Sequence, residues 1–146
     1  MMKKIKREAL GLIEKAKVAY VSSVNSDGFP TIKAMLALHH DGITTHYFST
    51  NLSTKRAAQF LQNPKASIYF CDDIDFKGLL LTGTVEVCKD SYHKELLWRE
   101  GFEIYYPKGV EDEDYCVLKF TATCGNYYHK LKNYSFTMEE LNNVEA

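Results

Sequence analysis

Val18-Ala-Tyr-Val-Ser-Ser-Val24, the turn Asn25-Ser-Asp-Gly28 and the run from Thr31 to Ser49 decide the fold class. The first piece is rich in β-branched and aromatic residues and stops at a turn-forming cluster. Thr31 to His39 reads as a second strand, with Lys33, Met35 and Ala37 on one face and Ile32, Ala34, Leu36 and Leu38 on the other. His40-Asp41-Gly42 then closes a hairpin into a third strand, Ile43 to Ser49. Two successive hairpins predict an antiparallel meander.

Upstream of this stretch the period is helical. Ile5, Ala9, Leu12, Ile13 and Ala16 recur at helix spacing between charges, which predicts an amphipathic helix over Lys3–Lys17. Downstream, within Thr50–Gln62, Ser53 can cap the start of a helix whose apolar side is Ala57, Phe60 and Leu61 and which ends at Asn63-Pro64, because proline disfavours helical geometry in the residue before it. Strands are expected at Lys65–Cys71 and Gly78–Cys88, the latter bent or bulged at Gly83. A short helix at Asp90–Trp98 with Asp90 as cap, a loop-rich insert at Arg99–Asp114 and a sixth strand at Tyr115–Thr121 follow. The aromatic patch Tyr127-Tyr128-His129 comes next, and Thr137 with Glu140 forms a capping box for a last helix. Six strands with few helices predict an α+β, mainly antiparallel β domain dominated by a barrel. It is read as one domain over 1–146, with a C-terminal tail at 135–146.

Composition narrows the function. A net charge of -1 and a pI near 6.5 give no global positive field for nucleic acid, and no apolar run reaches membrane-span length. The N-terminal stretch mixes charge throughout and lacks the apolar core of a signal peptide, so a cytoplasmic protein is expected. Cys71, Cys88, Cys116 and Cys124 are then expected to be buried thiols. Neither His-Glu-x-x-His nor a Cys/His group at zinc spacing occurs, and no metal is expected.

Ser53-Thr54-Lys55-Arg56 has hydroxyls and free N–H groups at a helix start, followed by two cations, which suits a phosphate. A plain serine cap with solvated cations fits the same residues. Lys33, in an apolar strand, either snorkels to the barrel edge or meets an anionic or carbonyl ligand. Tyr127-Tyr128-His129 can stack on a flat ligand or pack at a subunit contact, and Trp98 reads as a core or interface anchor. No Gly-x-Ser-x-Gly elbow or paired acid–base carboxylates are visible, so in an enzyme a cofactor would supply the chemistry.

In order, Gly28-Phe-Pro30 with Lys33-Ala-Met35, Tyr47-Phe-Ser-Thr50, Ser53-Thr-Lys55, Asn63-Pro64-Lys-Ala-Ser67, Leu81-Thr-Gly83-Thr-Val85 and Pro107-Lys-Gly109 with Asp112 to Tyr115 carry a resemblance. From about Val18 to Tyr128 the chain resembles the FMN-binding split-barrel family related to pyridoxamine 5'-phosphate oxidase, in its general stress protein 26-like branch. The resemblance implies a split β-barrel homodimer with FMN between subunits. It implies Lys33, Ala34, Met35 and Leu36 along the flavin ring, Phe48, Ser49 and Thr50 by the ring and ribityl chain, and Ser53, Thr54 and Lys55 at the phosphate. Tyr128 would approach from the other subunit. The implied activity is a stress-related oxidoreductase taking electrons from NAD(P)H. The alternatives are a non-catalytic FMN-binding or sensing module, or a barrel using haem (with His39, His40 or His129 as axial ligand) or a deazaflavin. Lys33 stands where the family usually has Arg. Gly78 replaces the oxidase's glutamine, and its Arg/His-containing substrate segment has no match, so pyridoxamine phosphate oxidation is not expected.

Overall fold

The computed structural model describes residues 1–145. Helix α1 (Met2–Lys15) is followed by strands β1 (Val18–Val24), β2 (Pro30–Leu36), β3 (His39–Asp41) and β4 (Thr45–Asn51). Helix α2 (Lys55–Gln62), strands β5 (Lys65–Asp72) and β6 (Lys77–Cys88) and helix α3 (Ser91–Leu97) come next. Two single 3-10 turns, Phe102–Ile104 and Gly109–Glu111, lead to β7 (Tyr115–His129), β8 (Lys132–Thr137) and α4 (Met138–Asn142). The sheet order is β2-β1-β5-β6-β7-β4-β3, with β8 on the distal half of β7 and every pairing antiparallel. The sheet curls into an open half-barrel, bringing β2 and β4 near one another across its split. No helix is long and apolar enough to cross a membrane.

Alternation along the strands fills the barrel. Ala19 and Val21, Ile68 and Phe70, Leu79 and Leu81, and Leu118 and Phe120 point inward, and Ile5, Ala9, Leu12 and Ile13 of α1 plug one end. A second cluster lies on the other face of β7 and β4, where Tyr47, Val117 and Tyr115 meet Leu97 of α3, Phe102 and Tyr106. Gly83 marks the expected bulge. The β6–β7 register shifts between Thr82 and Gly83, and a Cβ at Gly83 would collide with the Thr121 carbonyl.

Several sequence expectations are corrected. The strand expected over Thr31–His39 is broken: Pro30–Leu36 pairs with β1, whereas His39–Asp41 pairs with β4. Ala37 and Leu38 carry the chain between the two edges. The sixth strand runs on to His129 and includes Tyr127-Tyr128-His129, because β6 and then β8 continue to pair with it. The unexpected β8 is reached through Lys130 and Leu131, both at positive φ, a tight turn made without glycine or asparagine. Thr54 rather than Ser53 caps α2, its hydroxyl accepting the Ala57 N–H at 3.2 Å. Cys88 and Cys116 are buried, but Cys71 and Cys124 are exposed on outward-facing strand positions.

Candidate functional site

The split of the barrel forms a cleft of about 270 Å³. Its geometry follows from strand lengths. β2 is an edge strand, so one side of its backbone is unpaired. β3 is only three residues long and covers Thr45–Tyr47, leaving Ser49, Thr50 and Asn51 without a neighbour on that side. Lys33, Ala34, Met35 and Leu36 therefore face Ser49, Thr50 and Asn51 across the gap, with Thr54 at one end.

Lys33 opposes the buried Val21, so its side chain projects from the barrel's inner face into the split rather than outward. It makes no hydrogen bond or ion pair among the described residues. The residues lining the cleft include no carboxylate and no imidazole, leaving this ammonium as a charge with no counterion there.

The start of α2 is occupied differently from a plain anion site. The Asp114 carboxylate accepts the Ser53 N–H at 2.8 Å, the Ser53 hydroxyl at 2.9 Å and the Asn51 side-chain amide at 3.0 Å. The Ser53 hydroxyl bond in particular holds Asp114 below the usual carboxylate range. Thr54 stays directed at its cap and the cleft, and Lys55 is exposed. Arg56 folds inward instead, donating to Val21 O at 3.1 Å and Ser23 Oγ at 2.9 Å. Its Nε is buried without a partner, and burial lowers its pKa.

An aromatic layer covers the cleft. Phe102, Tyr105 and Tyr106 line it, and Tyr106 packs on Tyr115 behind it at a tilt of 31°, with ring centroids 4.3 Å apart. Trp98 fills the remaining side, its centroid 5.5 Å from Tyr115 and 5.7 Å from Phe102. Two polar threads fix the layer: the Tyr115 hydroxyl donates to Lys94 O at 2.8 Å, and the buried Lys94 ammonium donates to Asp112 O at 3.0 Å. Sequence reasoning missed Phe102, Tyr105, Tyr106 and Asn51. The paired tyrosines within an acidic, Pro/Gly-containing insert were the available signal.

Four of the candidate residues do not line the cleft: Ser53 and Lys55 flank it at the start of α2, and Phe48 and Tyr128 lie elsewhere. Phe48 is a core residue against His46 and Phe70 in a separate 200 Å³ cavity that also takes His39 and His40. Tyr128 opposes Gly78 on the outer face and meets the edge of Phe76 at 6.0 Å. His46 Nε2 lies 2.7 Å from the Ile43 carbonyl, so that nitrogen carries the proton, and burial pushes its pKa down to about 4. His39 pairs with Asp41 at 3.3 Å, and His40 Nδ1 meets Gly42 O at 2.9 Å. His129 lines a further cavity with Tyr127 and Tyr134. Among the described residues, one mixed set of metal-ligating atoms converges, from Cys88, Asp90 and His93.

The family model described as pyridoxamine 5'-phosphate oxidase matches residues 5–129 of the chain. A Clostridium acetobutylicum protein related to general stress protein 26, of the pyridoxinephosphate oxidase family, is 45% identical. Its structure superposes with a TM-score of 0.86 over 95% of this chain and 98% of that one. General stress protein 26 from Bacillus anthracis is 19% identical with a TM-score of 0.74, over 90% and 98%. A heme binding protein from Mycobacterium smegmatis shares the fold at 15% identity and a TM-score of 0.77, over 97% of this chain and 61% of its own. No curated protein matches. With its half-barrel, its split and a family match across most of its length, the chain belongs to the pyridoxamine 5'-phosphate oxidase family.

Proposed function

We propose that the cleft binds FMN and that the protein is an FMN-dependent oxidoreductase of the general stress protein 26 kind, acting as a homodimer on electrons from NAD(P)H. The observation that carries this reading is Lys33: an exposed ammonium without a counterion that lines the cleft between two unpaired strand edges, in company with Tyr105 and Tyr106. The donor set suits a flavin nucleotide. The edges of β2 and β4, including the backbone of Ala34 and Leu36, offer backbone groups to a flat heterocycle, and Met35, on the same face of β2 as Lys33, offers it an apolar side chain. Ser49 and Thr50 can take the ribityl hydroxyls, while Phe48 supports this part of β4 from the core. Thr54 and Lys55 can take the phosphate, and Ser53 joins them only when its bonds to Asp114 open.

FMN, when bound, supplies the electron-transfer chemistry. The chain's own residues contribute position, exclusion of water and charge. Lys33 places a positive charge beside negative charge that develops in the cleft on reduction. No lining carboxylate or imidazole is present to add acid–base catalysis.

A second copy has a surface to occupy. Tyr20 stands between Ala34 and Tyr69, Tyr69 opposes Leu80, and Val18 opposes Leu36, so these outward positions form one exposed apolar band across β2, β1, β5 and β6. A homodimer through this band covers it, and Tyr128, on the same outer face, is then available to the partner's cleft.

The test is the absorption spectrum of purified protein before and after FMN addition and desalting, with the mass in solution measured alongside. A retained two-band flavin spectrum in a dimer is expected, with NAD(P)H-dependent bleaching. Lys55→Ala should weaken FMN about tenfold with the dimer intact. Lys33→Met should keep FMN but lower its reduction potential. No retained flavin after reconstitution overturns the reading. A Soret band reassigns the cleft to haem, and flavin binding without NAD(P)H turnover reduces the protein to a binding module.

A further inference from the structure

We propose that Cys88, Asp90 and His93 form a binding site for one divalent ion of the zinc class per chain, at the joint between β6 and α3. The Cys88 Sγ, an Asp90 carboxylate oxygen and a His93 ring nitrogen all lie within 4.8 Å of one another. Ligand atoms sharing a tetrahedral ion stand roughly 3–4 Å apart, given bonds of about 2.0–2.3 Å. Small side-chain adjustments therefore bring the three onto one ion.

The existing bonds of the three groups are ones an ion can replace or leave in place. Asp90 caps α3 through Oδ2, which accepts the His93 backbone N–H at 3.2 Å, and Oδ1 is left facing the His93 ring. His93 Nδ1 stands 2.8 Å from both carboxylate oxygens, so an ion between them takes the place of the proton they share. The Cys88 thiol has only weak partners, the Glu86 carboxylate at 3.5 Å and the Glu86 carbonyl at 3.9 Å. A helix cap needs none of this sulfur chemistry, and the cap alone leaves a buried thiol directed at carboxylates unexplained.

The local charge suits a cation. The Glu86 carboxylate lies 3.5 Å from Cys88 Sγ, and an Asp90 carboxylate oxygen lies within 4.8 Å of it. Lys119, opposite Glu86 on β7, is a nearby positive charge, and the Tyr47 and Tyr92 rings flank His93 with centroids 5.9 Å and 5.2 Å away. An arriving dication replaces the thiol proton, which leaves to solvent, and the thiolate becomes a ligand. Sulfur with imidazole selects zinc, cobalt or nickel over magnesium or calcium. Three protein ligands leave a fourth position for water. All three come from a six-residue stretch, Cys88-Lys-Asp-Ser-Tyr-His93, so no long loop has to close. The ion would tie the end of β6 to α3, the helix that leads into the cleft's aromatic cover.

Cobalt(II) is the probe, titrated anaerobically into full-length protein carrying Cys71→Ser and Cys124→Ser, which removes the two exposed thiols. The expected result is a near-ultraviolet thiolate-to-cobalt charge-transfer band that saturates at one cobalt per chain and is bleached by zinc. Cys88→Ser should abolish the band. His93→Ala should weaken cobalt about tenfold or more, as loss of one of three protein ligands does, and should remove any zinc-dependent rise in melting temperature. No charge-transfer band in excess cobalt overturns the proposal, as does a band that survives Cys88→Ser. If Cys88→Ser does not fold, cobalt affinity unchanged in His93→Ala overturns it instead. These readouts do not depend on the flavin.

Discussion

The barrel interior and the outer aromatic layer are built on the same strand, and they hold together by different means. On β7, Leu118 and Phe120 face the barrel while Tyr115 and Val117 face the outer layer. Inside, aliphatic and phenylalanine side chains from regularly alternating strands pack with few polar groups. Outside, rings from an irregular segment are placed by hydrogen bonds to backbone: Tyr115 to Lys94 O, Lys94 to Asp112 O, and the Asp112 carboxylate taking the Lys108 and Asp114 N–H groups at 3.0 Å each. The cleft lies at the seam, with a rigid wall from the first and a cover from the second. Such an arrangement lets the cover change while the barrel is kept.

The largest break in this comparison is expected at Gly83, where any Cβ meets the Thr121 carbonyl. Gly83→Ala should cost about 3 kcal/mol, because backbone on both β6 and β7 must shift. Since β7 serves both clusters, urea unfolding followed by tyrosine fluorescence and by far-ultraviolet dichroism should move together. Separate transitions would mean that the two clusters are independent.

Acid should act on the barrel side first. His46 is held neutral with a pKa near 4, against 6.5 for an unperturbed imidazole. Between these values the unfolded chain binds a proton that the folded one refuses, so stability falls as pH drops from about 6.5 to about 4 and then levels. The loss attributable to His46 is about 3 kcal/mol at most. His46→Gln, which keeps an N–H for the Ile43 carbonyl, should flatten this part of the stability–pH curve. An unchanged curve would assign the acid sensitivity elsewhere.

The two regions also differ in how far they can be read from sequence. Hydrophobic period placed α1 and located β1 at Val18–Val24, and the proline at 64 placed the end of α2. Local rules likewise found the Gly83 bulge and the Asp90 and Thr137 caps. The break between Leu36 and His39 was hidden because no turn residue marks it, and strand alternation looks the same whichever neighbour a strand has. β8 was hidden by a turn built from Lys130 and Leu131. Of the cleft lining, the β2 residues and Ser49, Thr50 and Thr54 could be picked out because they belong to local stretches. The role of Asp114 was not: it lies 61 residues from the Ser53 it binds. The aromatic cover depends on the same kind of distant contact.

A smaller test separates the polar threads from the rings they hold. Tyr115→Phe keeps the tilted ring contacts with Tyr106 and Trp98 but leaves the Lys94 carbonyl without its hydroxyl donor. It should cost about 1–2 kcal/mol. Hydrogen exchange should quicken over α3 and the Phe102–Glu111 segment and stay unchanged in β1 and β5. Uniform quickening would show that the outer layer has no stability of its own to lose.

The smallest effect is expected at the seam itself. Thr54 Oγ1 accepts the Ala57 N–H at 3.2 Å and donates to Asn51 O at 2.8 Å, so a single hydroxyl ties α2 to the end of β4. Thr54→Ala removes both bonds and should cost about 1 kcal/mol, the usual loss for a helix cap. Thr54→Ser keeps the hydroxyl and should recover most of it. If Thr54 also meets the phosphate of FMN, the alanine variant should lose flavin affinity beyond what its stability loss accounts for, and the serine variant should not. Equal flavin affinity in both would confine Thr54 to capping and leave Lys55 as the phosphate contact from this end of the cleft.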